Sequence, residues 1–155
     1  MDDFLLARVI HVLGVVLWIG GVAFVTTVLL PGMKKGATPG ERVIMFERME
    51  GGFAWQARLT TLVTGASGFY MLYVLDAWER YGDPAYWWLH AMSAIWLIFT
   101  VMLFVLEPLV LHKLFERRAR ANPEGTLAMI QRLHWVLLAA SLITVAGAVA
   151  GVHGG

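Results

Sequence analysis

The chain has 155 residues, 59% of them hydrophobic and 15% charged, with a formal net charge of +1 and a mean hydropathy of +0.68. A soluble domain carries about 25% charged residues, so long apolar runs account for the difference, and the near-neutral balance points to no nucleic-acid partner. There are no cysteines, which excludes disulfides, iron–sulfur clusters and thiolate metal sites.

The first predicted element is an apolar run over about 4–30, long enough to cross a bilayer at ~1.5 Å rise per residue. Asp2 or Asp3 caps it and Pro31-Gly32 stops it. It lacks a basic leader and a small-residue cleavage site, so it reads as a retained span rather than a secretory signal. At roughly 100° per residue, His11, Gly14, Trp18 and Gly21 share one stripe. Glycines let a flat body or a second backbone come close, and an imidazole in hydrocarbon needs a partner. The flat body this pattern predicts is a haem.

A basic loop with Lys34 and Lys35 follows. Thr38-Pro39-Gly40-Glu41 then forms a capping box with proline at the first helical position. Val43, Ile44, Phe46 and Met49 alternate with charged residues, which predicts an interfacial helix over about 39–50 and a bend at Gly51-Gly52. The second span, about 53–75, carries Arg58 near its start and the small or hydroxyl residues Thr60, Thr61, Thr64, Gly65, Ser67 and Gly68. That face predicts close packing and self-association into a homo-oligomer.

Asp83-Pro84 opens the third span, about 85–111, whose first turn holds the aromatic belt Tyr86-Trp87-Trp88 and then His90. The helix continues into the basic stretch from His112 to Arg120. Asn122-Pro123-Glu124 restarts the chain toward the fourth span, about 127–152, with His134-Trp135 early and Ser141, Thr144 and Ala148 on one side. The fold class expected is all-α: a single membrane domain forming a four-helix transmembrane bundle in the lipid bilayer. Lysines and arginines gather in the 31–52 and 112–126 loops, whereas Asp2, Asp3, Asp76, Glu79, Arg80 and Asp83 lie at the opposite end. The positive-inside rule then puts both termini on the outer, periplasmic side of a bacterial inner membrane.

This topology sets the depth of each histidine. His11 and His90 enter from the outer face and lie ~10 Å and ~8 Å deep. Two imidazoles on different helices at matching depth suit a bis-histidine haem b, with Gly14, Ser93 and Ala94 leaving room for the ring and Trp18 packing on it. His134 enters from the inner face, ~10 Å deep, near Arg58, Glu107 and His112. It predicts either a second haem site, with Arg58 on a propionate, or a structural polar cluster. The plainer readings are a hydrogen bond to a neighbouring helix for each histidine, an Arg58–Glu107 ion pair, and interfacial anchoring for Trp87, Trp88 and Trp135. His153 is expected to be solvated.

His11-x6-Trp18-x-Gly20-Gly21 near the start of a small multi-helix membrane protein resembles two related groups. They are the membrane domain of the copper-resistance protein D family and the small membrane protoporphyrinogen oxidase family. The resemblance covers about Val9 to Pro31. It implies a helical bundle with a functional His11 and, for the second group, a haem or porphyrin ligand. The oxidase family has a basic residue in its third helix, where this chain has His90 and no lysine or arginine before Lys113. That departure favours a second axial imidazole. Copper transport is a further alternative, although Met92 and Met102 form no methionine ladder with the histidines, and soft Cu(I) prefers more sulfur. The expected function is a haem-binding membrane protein in electron transfer, with porphyrin oxidation as the runner-up.

Overall fold

The structure, a computed structural model, describes residues 3–33 and 38–152. The expectations for Asp2, Lys34, Lys35 and His153 lie outside the described residues. Within them every regular element is helical. Helix α1, Asp3–Phe24, passes through a π-helical turn, Val25–Leu29, into a last turn, Leu30–Gly32. Helix α2 is Pro39–Val74. Two 3-10 turns, Trp78–Gly82 and Pro84–Tyr86, lead to α3, Trp87–Val101, which continues as a π-helix over Met102–Leu111. Helix α4 is His112–Ala121 and α5 is Pro123–Val152.

Three stretches are long and apolar enough to cross a membrane: Asp3–Gly32, Pro84–Leu109 and Pro123–Gly151. The chain is an integral membrane protein. Its outward side chains include Val12, Leu13, Val16 and Leu17 on α1 and Val136, Leu142 and Ile143 on α5. A continuous apolar surface of that extent is stable against lipid, not water. Helix α2 is not among the three spans. Gln56, Arg58 and a run of hydroxyl residues dilute its apolar content, and the structure buries the hydroxyls of Thr60, Thr61, Thr64 and Ser67 while Gln56 stays exposed.

The capping signals act as the sequence predicts. Thr38 Oγ1 accepts the Glu41 N–H at 3.4 Å, while the Thr38 N–H donates to Glu41 Oε2 at 2.7 Å. That backbone N–H, and then the Thr38 hydroxyl, hold the Glu41 carboxyl below the usual carboxylate range. Asp83 caps the Ala85 N–H at 2.8 Å. The bend expected at Gly51-Gly52 does not occur, and α2 runs through both glycines. A helical glycine costs about 1 kcal/mol against alanine. Phe46 and Ala54, buried on either side of the pair, hold the helix on one continuous line.

Helix α2 ends in a Schellman arrangement: the Ala77 N–H bonds the Leu72 carbonyl at 3.0 Å and the Asp76 N–H that of Tyr73 at 3.2 Å. Asp76 takes the left-handed position, φ 47°, that glycine usually fills. The turn leads the chain from α2 into the 3-10 turns and so decides where they sit.

Helices α1 and α2 pack most closely. Gly14 faces α2, where a Cβ would collide with Thr64 Oγ1 and approach the Thr60 carbonyl oxygen to 3.6 Å. The Trp96 indole of α3 lies across Gly65, and its Nε1 donates to the Thr61 carbonyl at 3.0 Å. The small-residue face that predicted self-association is therefore covered inside the chain. The central core joins Trp18, Ile19, Val22, Phe99, Leu137 and Leu138, with Trp18 edge-on to Phe99 at 4.9 Å. Gly14→Leu is expected to destabilise the fold by ~1–3 kcal/mol through overpacking at this crossing. Thermal unfolding in detergent, followed by circular dichroism, measures it.

The two π segments share one device. In i→i+5 register the partner of the Thr26 carbonyl would be residue 31, and that of the Leu103 carbonyl residue 108. Both are prolines and have no N–H. Each freed carbonyl is taken by another helix: Gln131 Nε2 donates to Thr26 O at 2.9 Å, and Arg58 Nε to Leu103 O at 3.1 Å. Buried polar backbone in lipid must be satisfied, and these bonds tie α5 to α1 and α2 to α3.

Candidate functional site

A cavity of about 570 Å³ opens between α1, α2, α3 and α5 at the end of the bundle that carries the 3-10 turns. This lies within the range of ligand pockets, roughly 300–1,000 Å³. Its walls are mostly aliphatic and aromatic, with Trp18 from α1, Gly65 and Gly68 from α2, Met92, Ser93 and Trp96 from α3, and Ser141, Thr144 and Ala148 from α5. His11 is the imidazole in this wall.

His11 Nδ1 lies 2.9 Å from the Thr64 carbonyl oxygen and 3.3 Å from Ser67 Oγ. A carbonyl oxygen can only accept, so Nδ1 carries the proton and Nε2 keeps a bare lone pair. Metal-binding histidines are commonly oriented in this way, by donating the other ring N–H to a backbone carbonyl. Ser67 gives its own proton to the Val63 carbonyl at 2.6 Å and so stands as a second acceptor for Nδ1. Gly68 makes the seat possible. A Cβ there would lie 3.1 Å from His11 Cε1 and 3.3 Å from Nδ1.

The other expected site residues are distributed differently. Trp18 is 4% exposed and borders the cavity, and its Nε1 has no hydrogen-bond partner. Ser93 lines the wall, but Gly14 and Ala94 do not. Gly14 serves the α1–α2 crossing instead of making room for a ring, which corrects the role expected for it. His90 is exposed, lies edge-on to Tyr81 at 5.3 Å, and donates Nε2–H to the Tyr81 carbonyl at 3.0 Å. It is not part of the cavity wall. The direction of the His90 ring depends on the 3-10 turn beneath it.

His134 borders a separate space of about 100 Å³ toward the opposite end, between Phe46, Phe53 and Leu137. Its Nδ1 donates to the Ile130 carbonyl of its own helix at 2.9 Å, and its ring meets Phe46 edge-on at 6.5 Å. That volume is below the ~300 Å³ typical of ligand pockets, and His134 is the one histidine among the described residues that line it. Arg58 is engaged elsewhere. Its guanidinium pairs with Glu107 Oε2 at 3.0 Å while Nε serves the Leu103 carbonyl. No group of three His, Asp or Glu that could hold a bare metal ion occurs among the described residues.

Two charged residues of the cavity wall, Arg8 and Arg80, were missed by sequence reasoning. Arg8 was detectable, because it precedes His11 by three residues and so shares its face of α1. Arg80 was not, since only the turn after α2 brings it over the cavity. Trp87 and Trp88 seal the α3–α5 side, their rings lying over Gly147 and Gly151.

No family model, curated protein or solved structure matches the chain. The functional reading therefore stands on the cavity itself. It combines mostly apolar walls of ligand-pocket size with an imidazole whose Nε2 carries no proton.

Proposed function

We propose that this protein binds haem b in the outer cavity, with His11 Nε2 as an axial ligand, and acts in electron transfer as a cytochrome b-like protein of a bacterial inner membrane. The observation that carries the reading is the hydrogen bond from His11 Nδ1 to the Thr64 carbonyl, which presents the free nitrogen of the imidazole toward a pocket of ligand size. Bound haem would supply a one-electron redox couple. Thr64 and Ser67 hold the imidazole in its tautomer, Trp18, Trp96 and Met92 exclude water, and Gly68 leaves the imidazole its space. In this proposal the outer half of α2 completes a four-helix bundle beside the three apolar spans, with both termini outside.

A second reading, oxidation of a porphyrin substrate, is favoured by one observation. His90 is tied to the Tyr81 carbonyl, so His11 is the one imidazole that the described residues bring to the cavity, and one face is left for a substrate. As a second axial ligand His90 would have to release Tyr81 and turn inward.

The test is the absorption spectrum and the haem-to-protein ratio of the protein purified from haem-replete cells. The expected result is stoichiometric haem with sharp reduced bands. A colourless protein that takes up no added haem sinks the proposal. Oxidation of a porphyrinogen by that colourless protein, with a quinone supplied to accept the electrons and protons, would establish the second reading in its place.

A further inference from the structure

We infer that Arg8 and Arg80 form a carboxylate clamp at the outer end of the His11 cavity, so that its ligand is an amphiphile carrying acidic groups on one edge. The inference rests on the haem reading, in which those groups are the two propionates. Both arginines line the cavity, and among the described residues no carboxylate does. They arrive by independent routes. Arg8 lies three residues before His11, ~4.5 Å outward along α1. Arg80 sits on the Trp78–Gly82 turn, which Tyr81 fastens to the cavity wall by donating its hydroxyl to Ser93 Oγ at 2.6 Å.

A single arginine near a membrane surface is ordinarily one that extends its charge to water. Three features set this pair apart. Both open onto one largely apolar cavity whose described residues supply no counter-charge. Asp3, Asp76, Glu79 and Asp83 belong to the same end of the molecule, yet neither arginine forms an ion pair among the described residues. The Arg80 guanidinium also lies over the Tyr86 ring, 5.2 Å from its centroid. Stacking engages the flat face of a guanidinium and leaves its N–H edges for a carboxylate.

The experiment uses the full chain in phosphatidylcholine nanodiscs, where anionic head groups do not compete. Haem and its dimethyl ester are titrated into wild type, Arg8→Gln, Arg80→Gln and the double variant, with binding read from the Soret band. Each single change is expected to weaken haem binding ~10-fold and the pair ~100-fold. The ester should bind wild type as weakly as haem binds the double variant. The saturated spectrum should not change, because His11 is untouched. Equal affinity of wild type and double variant for haem, with the ester bound as tightly as the acid, overturns the clamp and leaves the haem reading standing. A wild type that binds neither form overturns both. The ester arm needs no mutation, so it decides the matter even where a variant folds poorly.

Discussion

His11→Ala is expected to lower haem affinity by ~100-fold or more, since loss of a residue that merely orients a metal ligand already costs 10–100-fold. The fold should survive the change. The Thr64 carbonyl that receives His11 Nδ1 is a helical carbonyl, and the Gly68 N–H remains its partner in the α-helix. A His11→Gly variant should regain the low-energy Soret band when free imidazole is added, because the cavity then has both the volume and the Thr64 acceptor for it. Gly68→Ala should act in the same direction but more weakly, ~10-fold, because its Cβ would crowd the imidazole it now accommodates. His90→Ala should leave the haem complement in place, given that its ring serves Tyr81. Full haem content and an unaltered spectrum in His11→Ala would remove the axial assignment. Loss of haem in both histidine variants would restore the bis-imidazole pair.

Much of the architecture could be read locally. The apolar runs, the Thr38–Glu41 box and the Asp83 cap depend on residues within a few positions of one another. The Arg58–Glu107 pair was also foreseeable, because two opposite charges at similar depth in hydrocarbon have few other partners. What escaped was set by tertiary placement. The bend at Gly51-Gly52 is absent because packing before and after the glycines holds α2 straight. The direction of His90 and the position of Arg80 both follow from Asp76 adopting a positive φ. An aspartate tolerates that region without announcing it as glycine would. Gly14 and Gly68 show the same limit within the site. Both lie on stripes that face another helix, but Gly14 meets a threonine hydroxyl and Gly68 meets the imidazole. Spacing cannot distinguish the two cases.

Arg58→Leu is expected to destabilise the protein by ~3 kcal/mol or more, the scale of breaking an ion pair away from water. One side chain answers two separate demands. Glu107 stands on the π-helical stretch with its Oε2 buried and no partner besides this guanidinium. The Leu103 carbonyl has lost its i→i+5 donor to Pro108 and receives Arg58 Nε instead. Removing the arginine therefore strands a carboxylate and a carbonyl together. Adding Glu107→Leu should recover the larger part, because an apolar pair of similar size needs no solvation. Adding Pro108→Ala as well should recover more, since the new N–H satisfies the backbone and lets the segment tighten toward α-helical register. The measurement is thermal unfolding in one detergent, with haem-free protein so that ligand binding does not enter. The expected order of midpoints is wild type highest, then the triple variant, the double variant and Arg58→Leu lowest. A midpoint for Arg58→Leu equal to wild type would mean that the guanidinium only extends to the surface. A double variant no better than the single one would place the whole effect on the Leu103 carbonyl, and with it on the proline five residues downstream.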